Sequence, residues 1–373
     1  MSMPDSGRGL KTRGVVEVIG AVVALALAAS ALVWFFARIP IEATSLGWDW
    51  RGLWQGISGG RIVYGNATGL RIAPWSLVLI LPLGWLSFRA SWAMITLISI
   101  AALVLSIPPT RNRWAFLGMG LLLGTSFTSL RHIADGNFEG LVILGALLAL
   151  ASLRPRKPWG LAAGLLLATT KVQDAWLFAP VVLLSALQKW PRRERYLCVA
   201  VLGAVVVVSL VLLGRPWLAA VFGIQERGSE VDMSLWATLS RVGIPWGGTA
   251  LVGLAFLSGT IAVARPKGQF TSREEAGLLM AASLLLSPYS SGNSLLTPLA
   301  VGAMTLVASV PWLGISLFVM DNLKYFVSEA WMFRWGPSYA TAQTAFVWAG
   351  LAWWLIRRKR RSAPAVDEKE EIS

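Results

Sequence analysis

A single cysteine, Cys198, and a single histidine, His132, are present in the 373 residues. One cysteine excludes an internal disulfide and a cysteine-based metal site, and one histidine excludes a multi-histidine metal site. Charge is scarce too: only 14% of residues are charged, well below the roughly 25% of an average soluble domain. A P-loop, a nucleophile-elbow serine, an HExxH pair and a dinucleotide fingerprint behind a strand are all missing, which argues against a nucleotide-sugar or ATP site. No cofactor and no metal are expected.

Apolar length is what the chain has in quantity. Hydrophobic residues make up 55% of it, and its mean hydropathy is +0.62. Apolar runs recur near the roughly 20 residues that one helix needs to cross a bilayer. Soluble enzymes and disordered chains are excluded, and the alternating ten-residue segments of a β-barrel are absent. We expect an all-α, polytopic helical integral membrane protein. With 33 Lys and Arg against 19 Asp and Glu the net charge is +14, a balance that in a soluble protein would suggest nucleic acid. Here the cations fall in short loops between apolar runs, as cytoplasmic anchors do. Membrane lipids are therefore expected as neighbours, and nucleic acid is not expected as a partner.

Residues 1–13 are polar and basic, and an apolar run extends from Val15 to Phe36. The Ala-rich stretch Ala26–Ala31 resembles a signal-peptide end, but the run continues through Trp34, Phe35 and Phe36. It reads as an uncleaved first span with a cytoplasmic N-terminus. Residues 38–72 form a long polar segment in which Trp48, Trp50 and Trp54 suggest a helix lying in the interface. Apolar segments follow at 73–88, 91–107, 114–130, 138–153, 159–170, 174–188, 196–214, 246–264, 275–287, 295–309, 312–327 and 339–356.

The clusters Arg154-Pro155-Arg156-Lys157, Lys189 to Arg195, Arg265-Pro266-Lys267 and Arg357 to Arg361 are assigned to the cytoplasm. Four segments then lie outside: Arg131 to Asn137, Lys171 to Asp174, the loop 215–244, and Ser287 to Ser294. Arg111 and Arg113 conflict with this order, because two crossings between 73 and 107 would put them outside. Either one of those segments is re-entrant or the charge rule is broken there. About 12 spans, plus or minus 2, are expected, within one transmembrane domain at 1–361. Residues 362–373 read as a disordered cytoplasmic tail. No internal repeat is visible, so the inverted-repeat signature of transporters is missing.

On this topology Asp49, Arg131, His132, Asp135, Glu139, Lys171, Asp174 and Arg241 converge on the outer face. Ionisable residues near membrane depth are costly and generally functional. A cavity with both carboxylates and cations suits an enzyme acting on a lipid phosphate: cations hold the phosphate and a carboxylate takes a proton from an attacking hydroxyl. Each residue also has an ordinary explanation. Asp49 can be a solvated loop carboxylate, and Lys171 can snorkel from a span end. Arg131 and His132 can anchor a span, and Arg241 can cap a helix. Asp135 and Asp174 can form structural bridges. Tyr64 and the tryptophans can be interface anchors, and Asn137 and Asn293 can join helices. We keep Asp49, Lys171, Arg131, His132, Asn137, Arg241 and Tyr64 as candidate site residues.

The order of features resembles the GT-C membrane glycosyltransferases, most closely glycosyltransferase family 87. The resemblance rests on Asp49 in Gly47-Trp48-Asp49-Trp50, then Gly59-Gly60-Arg61-Ile62-Val63-Tyr64, then Pro74 and Leu81-Pro82-Leu83-Gly84. Gly136-Asn137-Phe138-Glu139 stands where the family has Gly-Gln-x-Asn. A glycine-rich segment, Gly160 to Gly164, leads to Lys171, with Val172 in place of the family's proline. Ser234-Leu235-Trp236 and Arg241-Val242-Gly243 follow, and then Ser287-Pro288 without the usual histidine. The similarity covers about residues 10 to 310.

This resemblance implies a GT-C-like fold whose 38–72 segment is the catalytic loop, with 215–244 a second long outer loop. It implies a transferase using a polyprenyl-phosphate-linked sugar, often mannose, and a lipid or glycan acceptor, in the plasma membrane. Transfer would invert the anomeric carbon on the outer face, with Asp49 as general base. Lys171, Arg131, His132, Asn137, Arg241 and Tyr64 would bind donor or substrate. Two other readings stay open: a transporter or flippase of a lipid-linked or anionic solute, and a non-catalytic membrane scaffold. The first should show paired broken helices and internal symmetry, and the second needs no polar residues gathered on one face.

Overall fold

The computed structural model describes residues 30–35, 37–38, 46–65, 68–223, 232–264 and 270–361. Most of the expected first span, the Arg265-Pro266-Lys267 cluster, the centre of the 215–244 loop and the 362–373 tail lie outside the described residues.

The regular elements among the described residues are helical, apart from one isolated bridge between Gly65 and Leu70. In chain order they are α1 (Trp48–Ile57), α2 (Pro74–Trp85), α3 (Phe88–Ser106), α4 (Arg113–Gly124), α5 (Phe127–Asp135), α6 (Glu139–Leu153), α7 (Pro158–Ala168) and α8 (Phe178–Lys189). They continue as α9 (Arg192–Phe222), α10 (Leu235–Arg241), α11 (Trp246–Ala264), α12 (Arg273–Leu286), α13 (Gly292–Ser309), α14 (Pro311–Asn322) and α15 (Glu329–Arg361). Among the described residues 4 helices, α3, α9, α11 and α13, are long and apolar enough to cross a membrane. The pair α5 and α6, bent by 114°, raises that to 5 if it counts as one span. The expected count of about 12 is not reached by this measure, because α2, α4, α7 and α8 are shorter apolar helices. At the α-helical rise such helices are roughly 20 Å long against a hydrocarbon core of about 30 Å.

Small residues let the helices approach closely, as membrane packing requires. A Cβ on Gly145 of α6 would stand 2.2 Å from the Ala168 backbone nitrogen, and one on Gly164 of α7 would stand 2.4 Å from that of Ala149. The same holds where α12 crosses α13: a Cβ on Gly277 would meet the Gly302 Cα at 2.5 Å.

The conflict at Arg111 and Arg113 turns on α2. It is a short helix with 3-10 turns at both ends and prolines at Pro74 and Pro82. It enters beside Thr170, whose carbonyl accepts from the Ala73 amide at 3.0 Å. It leaves beside α1, where Trp54 Nε1 donates to the Leu86 carbonyl at 3.1 Å. Thr170 and α1 both belong to the end that carries Asp49 and Lys171, so both ends of α2 lie near that end. The next helix, α3, then runs to the opposite end, where the Ser106 carbonyl accepts from the Arg273 guanidinium.

That opposite end gathers the basic clusters that fall among the described residues. Trp190 Nε1 donates to the Leu153 carbonyl at 2.9 Å. Lys189 sits 4.7 Å from the Phe270 ring centre. Arg358 pairs with Glu274 at 3.7 Å, and Lys359 donates to the Val263 carbonyl. Arg111 and Arg113 follow α3 at this end, in agreement with the charge rule.

Two expectations for the outer segments change. Residues 215–222 belong to α9, which continues through Pro216, so the loop there is shorter than 215–244. Trp50 is no interface anchor: it is fully buried, whereas Trp48 is 69% exposed. Alternation on an amphipathic helix turns one indole inward and its neighbour outward.

Candidate active site

Two glycines with left-handed backbones let the outer segment and the α5–α6 kink meet. Gly47 (φ 68°) precedes α1, and its amide donates to the Ala134 carbonyl at 2.6 Å. Gly136 (φ 71°) ends α5, and its amide donates to the His132 carbonyl at 3.0 Å. A Cβ on Gly136 would stand 2.8 Å from Trp50 Cβ and 2.9 Å from Trp92 Cδ1, so glycine is required for both conformation and space. Trp50 fixes the contact from below. It packs edge-on against Phe138 with ring centres 5.5 Å apart, and its Nε1 donates to Ser91 Oγ at 3.1 Å.

Asp49 then projects from α1 to the kink. Its Oδ2 accepts from Asn137 Nδ2 at 2.8 Å and from Asn293 Nδ2 at 3.4 Å. The same Asn293 nitrogen donates to Asp135 Oδ2 at 3.1 Å, and Arg131 Nε donates to that oxygen at 3.0 Å. Burial pushes the Asp49 carboxyl up to about 6. Asp135 adds to the rise, Lys171 opposes it, Glu139 adds a smaller part and Arg131 opposes.

Beside this chain lies a second cluster around Glu139, the first residue of α6. Glu139 is fully buried. Its Oε2 meets His132 Nδ1 at 2.9 Å, and the other ring nitrogen of His132 meets Ser99 Oγ at 2.9 Å. Its Oε1 accepts from the Lys171 ammonium and from Ser294 Oγ, the latter at 3.4 Å. A buried carboxylate without such partners would be strongly unfavourable. Asp174, one turn beyond Lys171, is fully buried, and neither of its oxygens has a hydrogen-bond partner among the described residues.

A cavity of about 270 Å³ opens over these groups. Asp49, Asn137, Lys171, Arg71, Gln173, Tyr289 and Ser291 form its polar lining, and Leu53, Ile72, Phe138 and Val221 its apolar lining. One carboxylate, two cations and several hydroxyl or amide groups thus face one space with an apolar wall. No group of three or more His, Cys, Asp or Glu side chains able to hold a metal occurs among the described residues.

The candidate residues separate by position. Asp49, Asn137 and Lys171 line the cavity together. Arg131 is 57% exposed on the side chain and pairs with Asp135. His132 is buried between Glu139 and Ser99, beneath the lining. Arg241 ends α10, is not among the lining residues, and donates to the carbonyl of Asp232, whose carboxylate accepts from the Ser290 amide beside the lining residues Tyr289 and Ser291. Tyr64 packs against the cluster of Trp50, Leu53 and Ile57, and its buried hydroxyl has no hydrogen-bond partner among the described residues. Burial raises the Tyr64 phenol well above its ordinary range.

Sequence reasoning passed over Arg71, Gln173 and Tyr289 as lining residues and set Asn293 aside. Arg71 stands just before the Pro74 turn, and Gln173 two residues after Lys171. Position beside a kept residue was an available signal for Gln173 alone. Asn293 had none, since its partners are remote in sequence.

A family model for glycosyltransferase family 87 matches residues 73–288. The matched range contains Arg131, His132, Asn137, Glu139, Lys171 and Arg241, and begins after Asp49 and Tyr64. No curated protein and no solved structure matches the chain. Apolar helices of membrane length, a cavity with a carboxylate facing cations, and a match over more than half the sequence agree, and the chain belongs to glycosyltransferase family 87, a family of membrane glycosyltransferases.

Proposed function

We propose that the protein transfers a hexose, with mannose the first choice, from a polyprenyl-phosphate-linked donor to a hydroxyl of a lipid or glycan acceptor. The observation that carries this reading is that Asp49 and Lys171 line one cavity, with Arg71 beside them. The acceptor oxygen attacks the anomeric carbon and forms the new C–O bond. The bond from that carbon to the phosphate oxygen breaks, and its electron pair leaves with the polyprenyl phosphate. Asp49 takes the acceptor proton, and attack opposite the leaving group inverts the centre. Lys171 and Arg71 stabilise the negative charge that develops on the departing phosphate. The apolar wall of Leu53, Ile72, Phe138 and Val221 suits a prenyl chain beside that phosphate.

Asn137 is a positioning residue for Asp49 in this reading, and Arg131 is one through Asp135. His132 acts on Lys171 through Glu139. Arg241 and Tyr64 support the loops around the site. The separation of the cavity from the basic clusters supports an extracytoplasmic site and cytoplasmic termini in the plasma membrane. Residues 1–361 then form one transmembrane domain, with 38–72 its catalytic loop and 362–373 a cytoplasmic tail.

The test is transfer by the purified protein in detergent from a panel of radiolabelled polyprenyl-phosphate sugars to membrane-lipid and glycan acceptors. Asp49-dependent product from one donor is expected. Its absence with every donor would contradict the reading and favour transport.

A further inference from the structure

Asn293 is the one side chain among the described residues hydrogen-bonded to both Asp49 and Asp135. It stands in α13, far in sequence from both partners: Asp49 belongs to α1 and Asp135 to α5. Carboxylates only accept hydrogen bonds when ionised, so the amide face turned to them is the NH2. One NH2 carries two hydrogens and can serve two acceptors at once. The distances, 3.4 Å to Asp49 Oδ2 and 3.1 Å to Asp135 Oδ2, match that division. Helix joining alone would require only one partner. Here the partners are two like charges, and without the amide they would face each other across a poorly screened space.

We infer that Asn293 is a positioning residue that couples Asp135 to Asp49, its shared amide holding Asp49 ionised beside a second carboxylate. The inference rests on the reading of Asp49 as general base. Removing the amide withdraws a donor from the charged form of Asp49 and leaves Asp135 facing it directly, and both changes favour the protonated form. Removing the Asp135 charge does the opposite. The other charged or titratable groups around Asp49 are Arg131 from α5, Glu139 from α6 and Lys171 before α8. Arg71 and Tyr289 face the same cavity. Of these only Arg131 is affected by the variants below: it loses its ion-pair partner in Asp135→Asn, which acts on Asp49 in the same direction as removal of the Asp135 charge.

The experiment compares rate–pH profiles of Asn293→Ala, Asp135→Asn and the double variant with wild type. Asn293→Ala should move the acidic limb of kcat/KM up by about one pH unit, and Asp135→Asn should move it down by a similar amount. The double variant should depart from the sum of the two shifts, since the residues share one contact. Limbs that stay at the wild-type position in both single variants would overturn the inference, whatever the loss in rate. Asp135→Asn is nearly isosteric, so the test holds if Asn293→Ala does not fold. The protonated-carboxyl stretching band lost in Asp49→Asn gives the same titration without turnover. A wild type with no Asp49-dependent transfer would contradict the proposed function, while that band would still decide the coupling.

Discussion

Asn137 donates its side-chain amide to Asp49 across 2.8 Å, joining the kink between α5 and α6 to the helix of the outer segment. The contact sets Asp49 at the cavity wall rather than in open solvent. Asn137→Ala should therefore lower kcat by about 10- to 100-fold, the scale of one hydrogen bond to a charged group. Steady-state kinetics on the folded variant check it, and an unchanged kcat would remove Asn137 from the site.

Gly136→Ala should be disruptive despite adding one methyl. The backbone there has φ 71°, and the new Cβ would stand 2.8 Å from Trp50 Cβ. Left-handed strain alone is about 1–2 kcal/mol, and displacement of Trp50 adds to it. Thermal unfolding in detergent should show a lower Tm and reduced transfer. A wild-type Tm would show that the α1–α5 contact is looser than described.

Lys171 has a structural partner in Glu139 and a proposed role at the donor phosphate, and the two separate by mutation. Lys171→Met leaves Glu139 buried without its ammonium, a loss of about 3–5 kcal/mol for a broken buried pair. Adding Glu139→Gln should recover most of the Tm, because the uncompensated charge is gone. Transfer should stay low in the double variant, with a raised KM for the donor. Recovery of both Tm and transfer would make Lys171 purely structural.

Tyr64→Phe should leave transfer unchanged and the Tm equal or slightly higher. Its buried hydroxyl has no partner among the described residues, and removing an unsatisfied polar group carries no loss. A large fall in transfer would return Tyr64 to the substrate site.

The parts of this site differ in how far local sequence reveals them. Asp49, Asn137 and Lys171 sit in short polar segments between apolar runs, so their gathering at one end follows from topology. The number of crossings before Arg111 and Arg113 was legible only as a conflict, because those residues demanded one crossing fewer. In the structure α2 is one of the shorter apolar helices. The inward turn of Trp50 was not legible, since three tryptophans in seven residues look alike until a helix face is assigned. Asn293 was least legible. Its meaning depends on carboxylates brought to it by two other helices, and no spacing rule encodes that. Span number was hard for a related reason: α4, α7 and α8 are apolar but short, and composition alone does not separate a short helix from a full crossing.

General-base chemistry at Asp49 is the central claim, and its pH dependence tests it most directly. Burial holds the carboxyl near 6, so the base is mostly ionised at pH 7 and protonated below 6. Wild-type kcat/KM should fall about tenfold per pH unit on the acid side of that point. In Asp49→Asn, which keeps the shape and the contact with Asn137, transfer should drop by at least about 1000-fold and that limb should vanish. A folded Asp49→Asn protein that transfers at near wild-type rate, or keeps the limb near pH 6, would contradict the account.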